Sequence, residues 1–204
     1  MHQSRAGLVR WSLVVVFLCA PASYGAITAL AGNLNGAKES PSNGSAGTGF
    51  TTVIYDSTLH TLGVSVSFSG LTGPTTASHV HCCTALPGTG TAGVATTTPT
   101  FAGFPLGVTS GTYSTTLDLT QASSYNPAFI TANGGTTASA EAVLAAGFAN
   151  GTTYLNIHTS AFPGGEIRSF LTSAADVPAF SSAALALLGA LLAITGIVVL
   201  RRFH

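Results

Sequence analysis

The sequence is poor in charge: only six basic and six acidic residues occur among 204, so that 6% of the chain is charged. An ordinary soluble domain carries about 25%. The formal net charge is zero, which argues against the basic surface that nucleic-acid binding requires, so we expect no nucleic acid as a partner. The scarcity of charge does not indicate disorder, because disordered chains lack apolar residues and 46% of this sequence is hydrophobic.

The short motifs of common enzymes are also missing. The sequence contains no Gly-x-Ser-x-Gly elbow, no P-loop, no His-Glu-x-x-His helix and no cluster of paired carboxylates. Glu166 and Arg168 are two residues apart and would share one face of a strand. There we expect a partly buried polar network that fixes the closing strand, not a catalytic pair. We therefore predict that the protein is not an enzyme.

The first 25 residues are typical of a secretory signal peptide. Arg5 and Arg10 give the segment a positive start, and the apolar stretch 11–20 that follows is too short to span a bilayer. Residues 23–25 fit the small-x-small rule for cleavage, which would make Ala26 the first mature residue, and cleavage after Ala22 is the alternative. The sequence thus predicts an exported protein.

The last 25 residues, 180–204, are predicted to form a transmembrane helix with a basic tail. Residues 180–200 carry no charge and are followed by Arg201 and Arg202, which places the end of the helix on the cytoplasmic side. A linker, 173–179, precedes the helix. Around Val177 and Pro178 it resembles the C-terminal sorting signals of the PEP-CTERM and IPTL-CTERM class, nearer the IPTL type. The resemblance implies a cell-envelope or surface location, transient anchoring in the membrane and cleavage by an envelope sorting protease; a plain tail anchor is the alternative.

Between these ends, residues 26–172 have the pattern of one β domain. Residues 50–55 and the alternating residues 64–68 flank a turn at Asp56 and Ser57, which indicates an antiparallel hairpin with one buried face. The hairpin's second arm begins in residues 58–62. We predict an all-β fold, a single antiparallel β-sandwich or Greek-key barrel with one short helix near residues 138–145. Further strands are expected at 27–30, 78–82, 113–119, 153–159 and 166–171. The expected core comprises Val53, Tyr55, Leu62, Val64, Val66, Phe68, Leu117, Leu119, Leu155 and Ile157.

Three blocks of this domain resemble the CHRD domain, which was first recognised in chordin proteins and is widespread in bacterial exported proteins. They are residues 34–41 (LNGAKESP), 77–81 (ASHVH) and 154–168, which contains NIHT and PGGEIR. The resemblance covers roughly residues 27–171 and implies an extracellular β domain without a settled biochemical role. The adjacent cysteines and the Thr/Gly/Pro-rich stretch after them depart from the pattern, and we expect that stretch to be a binding or spacer loop.

The candidate chemistry of the domain lies in its histidines. His79 and His81 are two residues apart on a predicted strand, so both side chains emerge on one face about 7 Å apart. Copper and zinc both accept imidazole nitrogen, and His158 could supply a third ligand. Glu166 could orient one of these rings by accepting its second N–H. The alternative is that the histidines are structural and bind main-chain groups beneath loops.

Cys82 and Cys83 are the two cysteines that remain after removal of the predicted signal peptide. In an oxidising compartment they could form a vicinal disulfide, an intermolecular bridge, or thiolate ligands beside His79 and His81. Two functions therefore compete. The first is a non-enzymatic binding or structural module for an extracellular ligand, and the second is a copper- or zinc-binding or redox protein built on His79, His81, His158 and the cysteines.

Overall fold

The computed structural model describes residues 27–173. The expected signal peptide 1–25, the sorting motif at Val177 and Pro178 and the expected membrane helix in 180–204 lie outside these residues. Within the described part, no helix is long and apolar enough to cross a membrane.

The described chain folds into eight strands and two short α-helices, with two single 3-10 turns at residues 36–38 and 122–124. The elements follow in this order: β1 Ile27–Asn35, β2 Thr48–Asp56, β3 Thr61–Ser69, β4 Thr75–His81, β5 Gly111–Asp118, α1 Pro127–Ala132, α2 Thr137–Ala149, β6 Tyr154–Thr159, β7 Ile167–Phe170 and β8 Thr172–Ser173. The all-β prediction is confirmed.

All strand pairs are antiparallel and belong to one sheet with the order β4-β6-β7-β1-β2-β3-β5, while β8 pairs with β1 beside this path. The sheet curls into a half-barrel. Its two edge strands, β4 and β5, are consecutive in sequence and are joined by the long segment 82–110. Phe101 and Phe104 of this segment are buried, so the stretch expected to be a binding or spacer loop also contributes to the core.

The predicted β2–β3 hairpin is present, with Val53 opposite Val64 and Thr51 opposite Val66. Its second strand begins at Thr61, later than the sequence pattern indicated. The side chain of Asp56 accepts hydrogen bonds from the main-chain N–H groups of Thr58 and Leu59. These bonds hold residues 57–60 in a turn, and His60 there has a positive φ of 52°, so the segment cannot join the strand.

One face of the sheet carries the hydrophobic core, because side chains alternate between faces along each strand. Eight of the ten predicted core residues are buried, and Tyr55 and Leu117 are partly buried against the same cluster. The opposite face, called the outer face below, carries His79 and His81 on β4 and Phe50 on β2. The predicted helix is α2; α1, with Pro127 in its first turn, was not predicted.

Candidate metal centre

The register of β4 and β6 brings the predicted histidines together. The two strands pair antiparallel, with His79 opposite Asn156, His81 opposite Tyr154 and Ala77 opposite His158. Residues directly opposite in an antiparallel pair project from the same face. All three imidazoles therefore stand on the outer face, on two neighbouring strands.

The three rings form a compact cluster. The ring centroids of His79 and His158 are 5.2 Å apart, those of His79 and His81 5.7 Å, and those of His81 and His158 6.1 Å. One nitrogen from each ring lies within 4.8 Å of the nitrogens from the other two. The fourth histidine of the domain, His60, is elsewhere: its Nδ1 is 2.9 Å from Glu141 of α2.

Each ring of the triad is fixed by one main-chain carbonyl. His79 Nε2 is bonded to the oxygen of Pro99, His81 Nδ1 to that of Ala92 at 2.9 Å, and His158 Nδ1 to that of Pro163 at 2.8 Å. Because a carbonyl only accepts, each of these nitrogens carries the proton. The other nitrogen of a neutral ring then has a free lone pair. A hydrogen bond from the second ring nitrogen to a carbonyl is the contact that orients metal-binding histidines.

The remaining nitrogens of the three rings, His79 Nδ1, His81 Nε2 and His158 Nε2, are buried and have no hydrogen-bond partner. Buried polar atoms are almost always satisfied. Three nitrogen lone pairs without a hydrogen-bond partner in one cluster therefore form a ligand set suited to a metal ion.

The electrostatic environment keeps these rings neutral. Burial, together with a smaller contribution from the neighbouring histidines, lowers the pKa of His81 to about 4, although the Ala92 carbonyl opposes the shift. Burial likewise lowers the pKa of His79 and of His158. Metal binding requires deprotonated imidazole, so at neutral pH the site needs to lose no proton before it binds a cation.

The distances fit a metal after a small adjustment. Three nitrogens at about 2.0–2.1 Å from a zinc-sized ion would stand about 3.4 Å from one another. The nitrogens are up to 4.8 Å apart. Each ring must therefore move its nitrogen towards the centre of the cluster by less than about 1 Å. The cluster includes no carboxylate or thiolate, so the protein would offer an all-imidazole set that suits copper and zinc alike.

The cysteines do not join this site. Cys82 and Cys83 are bonded to each other as a vicinal disulfide, and Cys82 belongs to the hydrophobic core. Because Cys82 directly follows His81, its side chain points to the opposite face. A Cβ built on Gly147 of α2 would come within 2.7 Å of both sulfur atoms. Thiolate ligation beside the histidines, one of the possibilities raised by the sequence, is therefore not what the structure contains.

Glu166 also has a different role from the one expected. Its carboxylate accepts hydrogen bonds from the Ser45 hydroxyl, the Thr72 main chain and the Thr159 hydroxyl at 2.5–2.6 Å, and none from a triad ring. Burial alone would raise the pKa of Glu166, but these hydrogen bonds outweigh it and lower the pKa. The carbonyls of Pro99, Ala92 and Pro163 orient the three rings, which is the role that the sequence predicted for Glu166.

Beside the triad lies a buried polar group that sequence reasoning largely missed. Tyr154 stacks on His81 with ring centroids 4.6 Å apart, and the Arg168 guanidinium lies over Tyr154 at 4.8 Å. Arg168 pairs with Glu39, whose pKa burial raises to about 7 although the guanidinium opposes the shift. Arg168 thus forms an ion pair with Glu39 and donates hydrogen bonds to the carbonyls of Lys38 and Gly90, and it does not pair with Glu166. The sequence signal was that Glu39 lies in the first CHRD-like block and that Tyr154 and Arg168 lie in the third.

The comparisons agree with the resemblance noted in the sequence. The family model of the CHRD domain matches residues 30–171, which include all three triad histidines and the Arg168–Glu39 pair. Neither a search of curated proteins nor a search of solved structures finds a match.

Proposed function

We propose that this chain, which belongs to the CHRD domain family, is an exported cell-envelope protein that binds a copper or zinc ion. The ligands are His79, His81 and His158. The observation that carries the proposal is the cluster of three buried, unpaired ring nitrogens. Convergence of these rings favours a metal-binding role over a module whose histidines only support loops.

The protein's own part in this function is to hold the rings in one protonation state and one orientation. The carbonyls of Ala92, Pro99 and Pro163 supply that restraint, and burial excludes competing water. Bound at these nitrogens, copper or zinc would supply a Lewis-acidic centre held by three imidazoles. Among the described residues we assign a catalytic role to none.

The test is metal loading of the purified full chain in detergent. After exposure to copper or zinc and dialysis, we expect about one equivalent of metal per chain by elemental analysis. His79→Ala and His158→Ala should each lower the metal affinity by more than about tenfold, the cost typical of losing a contact at a metal site.

His60→Ala is the matched control, since His60 belongs to the same domain but bonds to Glu141. It should bind metal as tightly as the original chain. A correctly folded chain that retains no metal, and whose thermal unfolding does not shift when copper or zinc is added, would contradict the proposal and leave the histidines structural.

A further inference from the structure

The outer face of β1, β2, β3 and β5 is an open surface far along the sheet from the triad. Cα partners form rows across the strands: Asn33, Phe50, Ser67 and Thr112 make one such row. A parallel row runs through Ala31, Thr52, Ser65 and Ser114. We call these rows, with their neighbours on the same face, the hydroxyl face.

The hydroxyl face is almost free of charge. Asp56 and Asp118 stand at one end of it, and the other described side chains that project from β2, β3 and β5 on this side are uncharged. Most of them carry a hydroxyl group: Thr48, Thr52, Thr61, Ser65, Ser67, Ser69, Thr112, Ser114 and Thr116. Each hydroxyl both donates and accepts hydrogen bonds.

Phe50 stands in the middle of this polar surface and is 44% exposed. It lines three adjoining cavities of about 630, 400 and 650 Å³. The two cations beside the first cavity are already engaged, since Lys38 Nζ donates to the Asn33 carbonyl and Arg168 is buried against Tyr154. An exposed aromatic ring among concave surfaces is typical of a binding site.

We propose that the hydroxyl face binds an uncharged polysaccharide, with Phe50 as its stacking platform. A sugar ring offers an apolar C–H side to an aromatic ring and hydroxyl groups to Ser, Thr and Asn. The two rows offer no cation to which an anionic polymer could bind. Complementarity of charge therefore favours a neutral polysaccharide over an anionic one. A protein partner is less suited, because interface cores are rich in aromatic residues, Met and Arg, whereas this face has Phe50, Ile54 and Ile27 as its large apolar side chains. The inference does not depend on the metal site.

The experiment is adsorption of the full chain to microcrystalline cellulose and to chitin, with anionic alginate beads for comparison. The detergent must be zwitterionic, because one with a sugar headgroup would compete for the face. We expect adsorption to at least one neutral polysaccharide and none to alginate. Phe50→Ala should weaken adsorption by about tenfold or more, and Phe50→Tyr should restore it.

Leu59→Ala is the matched control, because Leu59 is 68% exposed but lies in the β2–β3 turn; it should adsorb as the original chain does. Failure to adsorb to either neutral polysaccharide, or adsorption that Phe50→Ala leaves unchanged, would overturn the proposal. So would self-association in sedimentation experiments that Phe50→Ala abolishes, since the face would then be an interface between two copies. Metal loading measured on the same variants keeps this outcome separate from that of the triad.

Discussion

At the scale of single residues, the two nitrogens of each triad histidine have separate tasks. One is held by a carbonyl of a loop, and the other is left unpaired in the cluster. The sequence predicted which face His79 and His81 share, because that follows from the period of two along a strand. It could not predict the carbonyls of Ala92, Pro99 and Pro163, since they come from irregular segments whose path depends on tertiary packing.

The depressed pKa of His81 has a consequence for stability. Its folded-state value of about 4 lies below the ordinary 6.5, so between these two values the unfolded chain binds a proton that the folded chain does not. The free energy of unfolding of the metal-free protein therefore gains a contribution that is complete above about pH 6.5 and is lost as the pH falls towards 4. The slope of this contribution should approach about one proton. Because burial also lowers the pKa of His79 and His158, His81→Gln should reduce the measured slope by the His81 share and leave theirs.

Urea unfolding at a series of pH values, followed by circular dichroism, measures this slope. Glu39 acts in the opposite sense, because its pKa is raised from 4.5 to about 7 and its contribution is lost as the pH rises through that range. Glu39→Gln is therefore the companion variant, and it should make the rise in stability with pH steeper. An identical pH dependence in the original chain and in His81→Gln would show that the histidine is not protected from protonation.

At the scale of elements, the hairpin of β2 and β3 was predictable because its alternation is clean and its turn begins at Asp56. The helix α2 was predictable from its alanines, and the structure adds a capping box formed by Thr136 and Ser139. What pins α2 to the sheet was not predictable: buried Glu141 bonds to His60 and to the Tyr55 hydroxyl. These partners are more than 80 residues away in sequence.

The contact between α2 and the end of β4 gives a test of packing. A Cβ on Gly147 would lie 2.7 Å from both disulfide sulfurs and 2.8 Å from Thr153 Cγ2. Alanine improves helix propensity by about 1 kcal/mol, but overpacking costs about 1–3 kcal/mol, and two bonded sulfurs cannot both move away. Because three heavy atoms would lie closer than 3 Å, the overpacking cost should fall at the upper end of that range, about 2–3 kcal/mol. After the gain in helix propensity, we expect Gly147→Ala to lower the free energy of unfolding by about 1–2 kcal/mol.

Urea unfolding again provides the measurement, and Gly44→Ala is the control, because nothing lies within 4 Å of a Cβ built there. Metal affinity should be the same in both variants, since Gly147 packs on the face opposite the triad. A Gly147→Ala chain as stable as the Gly44→Ala chain would show that the helix can move away from the disulfide at little cost.

At the scale of the whole molecule, the sequence indicated an all-β domain with its approximate strands and most of its core. It could not show that all strands join one curled sheet, because strand order depends on non-local pairing. One sheet places two different surfaces on the same outer face: the buried triad between β4 and β6 at one end, and the hydroxyl face centred on Phe50 at the other. Loops cover the triad and leave the hydroxyl face open.

The boundary of this domain bears on export. The last described strand, β8, pairs with β1 through Thr172 and Ser173, and the proposed sorting motif at Val177 and Pro178 follows four residues later. A cut there would leave every described strand pairing intact while separating the domain from the predicted membrane segment. Export, transient anchoring and processing are thus compatible with the fold.

We therefore expect the mature surface protein to begin at or near Ala26 and to end close to Val177 and Pro178. Intact-mass measurement of the protein from membrane and surface fractions checks both ends at once. Replacing Val177 and Pro178 together with alanine should shift the product to the longer, membrane-retained form, because the sorting protease would lose its motif, whereas the same change at Ser181 and Ser182 serves as the control. If every fraction retains Arg201 and Arg202, the C-terminal segment is a plain anchor and no processing takes place.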